Sequence, residues 1–166
     1  MGRLRPRPQR RSRRLPEIVQ DRKQTHPRDR TLPGGGMREP DFDRDGWSLD
    51  DGEQRQAAAP DRFEIPPLWV REALEPGDFA QLIFKIAIDD AEDPAIFERM
   101  WVVVTGRTQD GYIGVLNNEP ASTSESDALW LGSELPFWPR HVIDVAEAND
   151  ASMAIANTPP KIPWAP

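Results

Sequence analysis

Residues 98–116 contain two short apolar runs, ERMWVVVT and YIGVL, on either side of the polar stretch GRTQDG. Valine and aromatic residues in runs this short favour extended backbone, and a glycine-bracketed break reverses the chain, so the segment predicts a β-hairpin. Trp101, Val103 and Thr105 fall on one side of the first strand, Met100, Val102 and Val104 on the other. With both sides apolar, the hairpin belongs in the middle of a sheet, and Trp101 is expected in the core. Gly114 inside the return strand marks a bulge, or a place where another backbone or a partner comes close. Asn117-Asn118-Glu119-Pro120 ends that strand.

The run FAQLIFKIAID, residues 79–89, alternates Leu82, Phe84, Ile86 and Ile88 with Gln81, Ile83, Lys85 and Ala87, the period of a half-buried strand. DDAEDP, residues 89–94, then turns the chain. Ahead of it, LWVREAL (68–74) predicts two helical turns between Pro66-Pro67 and Pro76-Gly77. One theme occurs twice: LEPGD (74–78) leads into a strand, and LWLGS (129–133) leads into another over 134–138. Each reads as a turn that launches a strand, and HVID (141–144) predicts a last short strand. The fold expected is mainly β, bordering on α+β: a small rolled antiparallel sheet or SH3-like barrel with one or two short helices, over residues 61–145.

The flanks differ in composition. Residues 1–36 hold eleven Lys/Arg and three Asp/Glu, net +8, and residues 37–166 hold ten against twenty-five, net -15, which together make the chain's -7. A basic, proline-rich opening with few aliphatic residues cannot offset its conformational entropy, so residues 1–36 are expected to be disordered. Three readings of it stand: an inert tail, an arm for nucleic acid or an acidic partner, or a stretch not translated because synthesis starts at Met37, behind Gly34-Gly35-Gly36. Residues 37–60 read as an acidic linker and residues 146–166 as a proline-rich tail, with a helical turn near 151–156. No apolar run approaches the roughly 18 residues that span a bilayer. No apolar region follows Arg10-Arg11 and Arg13-Arg14, and Pro6, Pro8 and Pro16 break any targeting helix, so a cytoplasmic protein is expected. Absence of cysteine removes thiolate metal sites, cysteine nucleophiles and disulfides.

Few residues invite chemistry. His141 is the one histidine of residues 61–145, with Asp144 three positions on, and could serve a small hydrolase or transferase as a base; a structural role bonded to backbone is the plainer reading. Glu98 precedes Met100 and Trp101 and could be a buried carboxylate suited to proton transfer. Asp41, Asp43 and Asp45 before Gly46 match the first half of a calcium loop, but position twelve is Gly52, so no metal is expected there. No phosphate cradle and no cofactor signature is present. Trp69, Trp130 and Trp138 sit beside predicted turns, where exposed rings anchor interfaces, and with Gly114 and Asn117 they form the candidate binding surface. Residues 61–145 carry six Lys/Arg and sixteen Asp/Glu, net -10, which disfavours nucleic acid and favours a basic protein partner.

The order F-x-I-P (63–66), L-x-x-G-D (74–78), E-R-M-W-V (98–102), G-Y-x-G-x-L-x-N-x-P (111–120), L-x-x-G (129–132) and F-x-x-x-H-V-I (137–143) resembles a bacterial family known as domain of unknown function 2314. The resemblance covers about half the chain and departs from the family at Ser133, where a second Gly-Asp is expected, and in the serine-rich loop before it. It implies a compact, β-rich cytoplasmic module with no catalytic residue to carry over, related to groups associated with toxin-immunity loci. The expected function is a non-enzymatic protein-binding module of immunity or adaptor type.

Overall fold

A computed structural model describes residues 36–121 and 128–165. The runs that alternate in sequence form the centre of one curled antiparallel sheet, half of a barrel. Its strands are β1 (Trp47–Leu49), β2 (Phe79–Ala87), β3 (Ala95–Arg107), β4 (Tyr112–Leu116), β5 (Glu134–Phe137) and β6 (Asp144–Ala146). The first five lie in chain order, and β6 joins β2. β1 and β6 share one edge of β2: Leu49 stands opposite Phe84, and Ala146 opposite Phe79. The mainly β expectation holds.

The concave face buries Leu82, Phe84 and Ile86 of β2, Met100, Val102 and Val104 of β3, and Leu116, Leu135 and Phe137 beyond them. Each such side chain removed from water contributes about 1.5–3 kcal/mol. Tyr112 stacks on Phe137 with ring centroids 5.2 Å apart, and Trp47 closes the other end against Phe84 and Trp164. Parity along β3 therefore puts Trp101 on the convex face, half-buried and edge-on to Phe79 at 6.3 Å, not in the core. Its neighbour on that face, Val103, is sealed; there the helix Asp150–Ala156 packs on β3.

The segment that reads as an acidic linker is folded onto the sheet. It contains β1, one helical turn (Phe42–Asp45) and a helix (Gly52–Ala58), capped by the side chains of Asp41 and Asp51. Trp47 and Leu49 show only a three-residue alternation, too short to signal a strand, but β2 needs a cover on that edge and Trp47 fills the open end of the core. The last strand also moves: Pro139–His141 is a 3-10 turn, and β6 starts at Asp144. Residues 1–35 and 122–127 lie outside the described residues, and with them most of the basic segment and the serine-rich loop.

The two turns LEPGD and LWLGS do launch strands, and they share one hydrogen-bond plan. Gly77 and Gly132 both adopt left-handed backbone, φ 98° and 90°, which favours glycine. Gly77 N–H donates to Val104 of β3 at 2.8 Å, and Gly132 N–H to Leu116 of β4 at 2.8 Å. Asp78 Oδ2 accepts from Glu75 N–H at 2.9 Å; Ser133 Oγ accepts from Trp130 N–H at 3.0 Å. Ser133 thus fills the role of the aspartate expected there, because either side-chain oxygen reaches the amide three residues back.

Candidate functional site

His141 is 1% exposed. Its Nδ1 accepts the backbone N–H of Trp138 at 3.1 Å, and its Nε2 lies 3.0 Å from Glu39 Oε1. With Nδ1 an acceptor, the proton of the neutral ring sits on Nε2 and is donated to Glu39. The other oxygen of Glu39 accepts from the Arg140 guanidinium at 2.6 Å. Burial and the positive charge of Arg140 push the imidazole pKa down to about 4, against the opposing pull of Glu39. At neutral pH the ring is uncharged and both nitrogens are held by the protein itself, so neither presents a lone pair to a substrate. Asp144 does not take part: its Oδ1 accepts the N–H of Val145 at 2.8 Å.

A second polar centre lies beside the first. In the helical turn Leu68–Arg71, Arg71 is 5% exposed. Its Nε donates to the Pro66 carbonyl at 2.7 Å, and one terminal nitrogen donates to Glu53 at 2.7 Å and to the Pro139 carbonyl at 2.8 Å. The Tyr112 hydroxyl donates to the Arg71 carbonyl at 2.8 Å and accepts Leu74 N–H at 3.2 Å; burial pushes its pKa up, so it stays a donor. These bonds tie β4, two short helices and the Pro139–His141 turn together. The arrangement positions backbone.

The remaining candidates are dispersed. Trp69 is 73% exposed. Trp138 is half-buried, edge-on to His141 at 5.8 Å, with the Arg140 guanidinium 5.3 Å from its ring. Trp130 sits in the turn before β5, at the opposite end of that strand from Trp138. Gly114 serves packing: a Cβ there would lie 2.5 Å from Val102 Cγ1 and 2.6 Å from the Val103 carbonyl. Asn117 continues the β4 ladder, its N–H donating to Trp101 at 2.9 Å. Glu98 is half-buried and accepts the N–H of Ala121 at 2.9 Å.

In the calcium half-motif, Asp41 caps its helix by accepting Arg44 N–H at 2.9 Å. Asp45 holds both terminal nitrogens of Arg38, at 2.6 and 2.9 Å, and that contact pulls its pKa below the usual carboxylate range. Asp43 lies in the first turn of the same helix. Among the described residues no group of three His, Cys, Asp or Glu is placed to hold a metal ion. An open groove of about 460 Å³ on the convex face has Arg62, Glu64, Gln81, Arg99 and Asp144 in its lining, a mixture of both charges away from His141.

Two residues of these centres escaped the sequence reading. Glu39 reaches His141 across 102 positions, and Arg71 lies inside a run read only as a helix. A buried arginine in a short helix leaves no local signal; the nearby Pro66 carbonyl and, from farther along the chain, Glu53 and the Pro139 carbonyl define it. No family model matches the chain, and no curated protein and no solved structure matches it. No helix among the described residues is long and apolar enough to cross a membrane.

Proposed function

We propose that this chain is a non-enzymatic protein-binding module, of immunity or adaptor type, whose acidic surface takes a basic protein partner in the cytoplasm. The supporting observation is the unbalanced surface charge. Residues 37–166 hold ten Lys/Arg against twenty-five Asp/Glu, and among the described residues Arg38, Arg55, Arg71, Arg107 and Arg140 are already in ion pairs within the chain. Exposed carboxylates remain, concentrated at Asp89, Asp90, Glu92 and Asp93 between β2 and β3. Such a field draws basic partners and repels nucleic acid. The resemblance to the 2314 family belongs to the same proposal.

A hydrolase or transferase at His141 is the weaker reading, because its ring nitrogens are both engaged inside the fold. Contact with nucleic acid through residues 1–36 would have to overcome the field of the domain that carries them. Affinity capture with the full chain tests the proposal. It predicts a basic partner at low ionic strength, released by salt, and a complex weakened about tenfold when the four carboxylates of the β2–β3 turn become amides. Capture indifferent to salt and to those substitutions would reject it.

A further inference from the structure

β3 is thirteen residues long and unequally covered. Toward β2 it pairs from Ala95 to Val103; toward β4 it pairs only from Val102 to Arg107. Asn117 N–H and Asn118 Oδ1 complete the β4 side at Trp101. The direction of each peptide group follows from parity. Even-numbered residues face β2: Val104 N–H donates to Asp78, and the Pro94 carbonyl accepts from Ile88. Odd-numbered residues face the other way, as the Trp101 carbonyl does in accepting from Asn117. The N–H and C=O groups of Ala95, Phe97 and Arg99 therefore point to an edge with no strand on it, and among the described residues no hydrogen bond reaches them. The edge carries no proline or lysine to blunt it, and the Phe97 ring is 53% exposed.

We infer that this edge is a homodimer interface, in which β3 of a second copy pairs antiparallel about a two-fold axis through Phe97. The inference stands apart from the partner proposed above. Register decides the axis. Centring on Phe97 sets Phe97 opposite Phe97 and Ala95 opposite Arg99, each pair with its peptide groups facing the partner, so every open group on both copies is bonded. An axis at Ile96 would bond Ala95 to Phe97 and leave Arg99 without an open partner, and an axis at Glu98 would bond Phe97 to Arg99 and set Ala95 against Trp101, whose groups Asn117 and Asn118 already hold. Side chains agree with this register. Two Phe97 rings, each with the Arg55 guanidinium of its own copy 5.1 Å from it, come together on the convex face, a small alanine leaves room for each arginine, and each Arg99, now 5.4 Å from its own Phe63 ring, can turn to Asp93, two residues before Ala95 of the second copy. A basic strand would bring its charge against Arg99, whereas an antiparallel copy aligns Arg99 with the acidic turn at both ends.

Sedimentation equilibrium of the full chain tests this. A dimer is expected at about 100 µM, dissociating on dilution as a short interface should. Phe97→Pro removes an edge N–H but no β2 bond, since the β2 ladder uses even-numbered residues, and is expected to give a monomer with the circular dichroism of the parent. Arg99→Glu, at an exposed side chain, sets like charges together and should raise the dimer Kd tenfold or more, which keeps the test intact if the proline variant does not fold. A parent chain that is monomeric at about 1 mM would overturn the inference, as would a dimer that both substitutions leave unchanged. A monomer whose edge instead accepts another protein's strand would also overturn it.

Discussion

Around His141 and Arg71 the buried polar atoms are bonded within the chain; along the first five residues of β3 the outward N–H and C=O groups of Ala95, Phe97 and Arg99 have no partner among the described residues. Both regions are built from the same kinds of group, so the contrast comes from access to water. A polar atom sealed by packing must find its partner in the fold, or the fold loses about 1–3 kcal/mol. One left at an edge can wait for solvent or another chain. The sealed region therefore reads as scaffold, and the open one as the place to look for association.

That contrast has measurable consequences. Arg71→Ala strands the Pro66 and Pro139 carbonyls and leaves Glu53 unpaired, and is expected to cost about 4 kcal/mol in denaturant unfolding. A loss under about 1 kcal/mol would show the centre to be dispensable. His141 predicts a pH dependence nearly as large. Its folded pKa, about 4, lies below the unfolded 6.5, so the unfolded chain takes up the proton first. The contribution is complete above pH 6.5 and disappears as pH falls through 4, with about 3 kcal/mol involved. Protonated Nδ1 would also face the Trp138 N–H donor for donor. Unfolding curves between these pH values should be steeper in pH for the parent than for His141→Gln; identical slopes would remove the claim.

Tyr112→Phe takes away the donor to Arg71 and the acceptor for Leu74 while keeping the stacked ring, and should cost about 1–2 kcal/mol by thermal unfolding. At the open edge, Phe97→Ala should leave the stability of the dilute monomer within about 0.5 kcal/mol of the parent. A larger loss there would place Phe97 with the scaffold and erase the distinction between the two regions.

Much of the sheet was legible. The alternation in residues 79–89 predicted β2 and one face of it, of which Leu82, Phe84 and Ile86 are buried while Ile88 lies half-buried past the strand's end at Ala87, and the hairpin became β3 and β4. Gly77 and Gly132 marked turns that their positive φ confirms. The reading failed for residues 41–58, where acidic composition suggested a linker and short elements dock on the sheet. Asp41 and Asp51 look like solvated charge in sequence, yet each is a helix cap. His141 read more plainly as structural, with Asp144 as the carboxylate of the alternative reading; the carboxylate it meets is Glu39, since nothing local in the chain relates residues 102 positions apart.

Sequence by itself determined where β2, β3 and β4 run and where the turns at Gly77 and Gly132 fall, because two-residue alternation and glycine's freedom at positive φ are properties of adjacent residues. Tertiary structure decided which face of β3 turns inward, leaving Trp101 outside and Met100 within. It also decided which carboxylate meets His141 and which stretch of β3 has no strand beside it among the described residues. Each of these depends on what distant segments bring to the sheet, and burial acts on whole surfaces rather than on the order of residues along the chain.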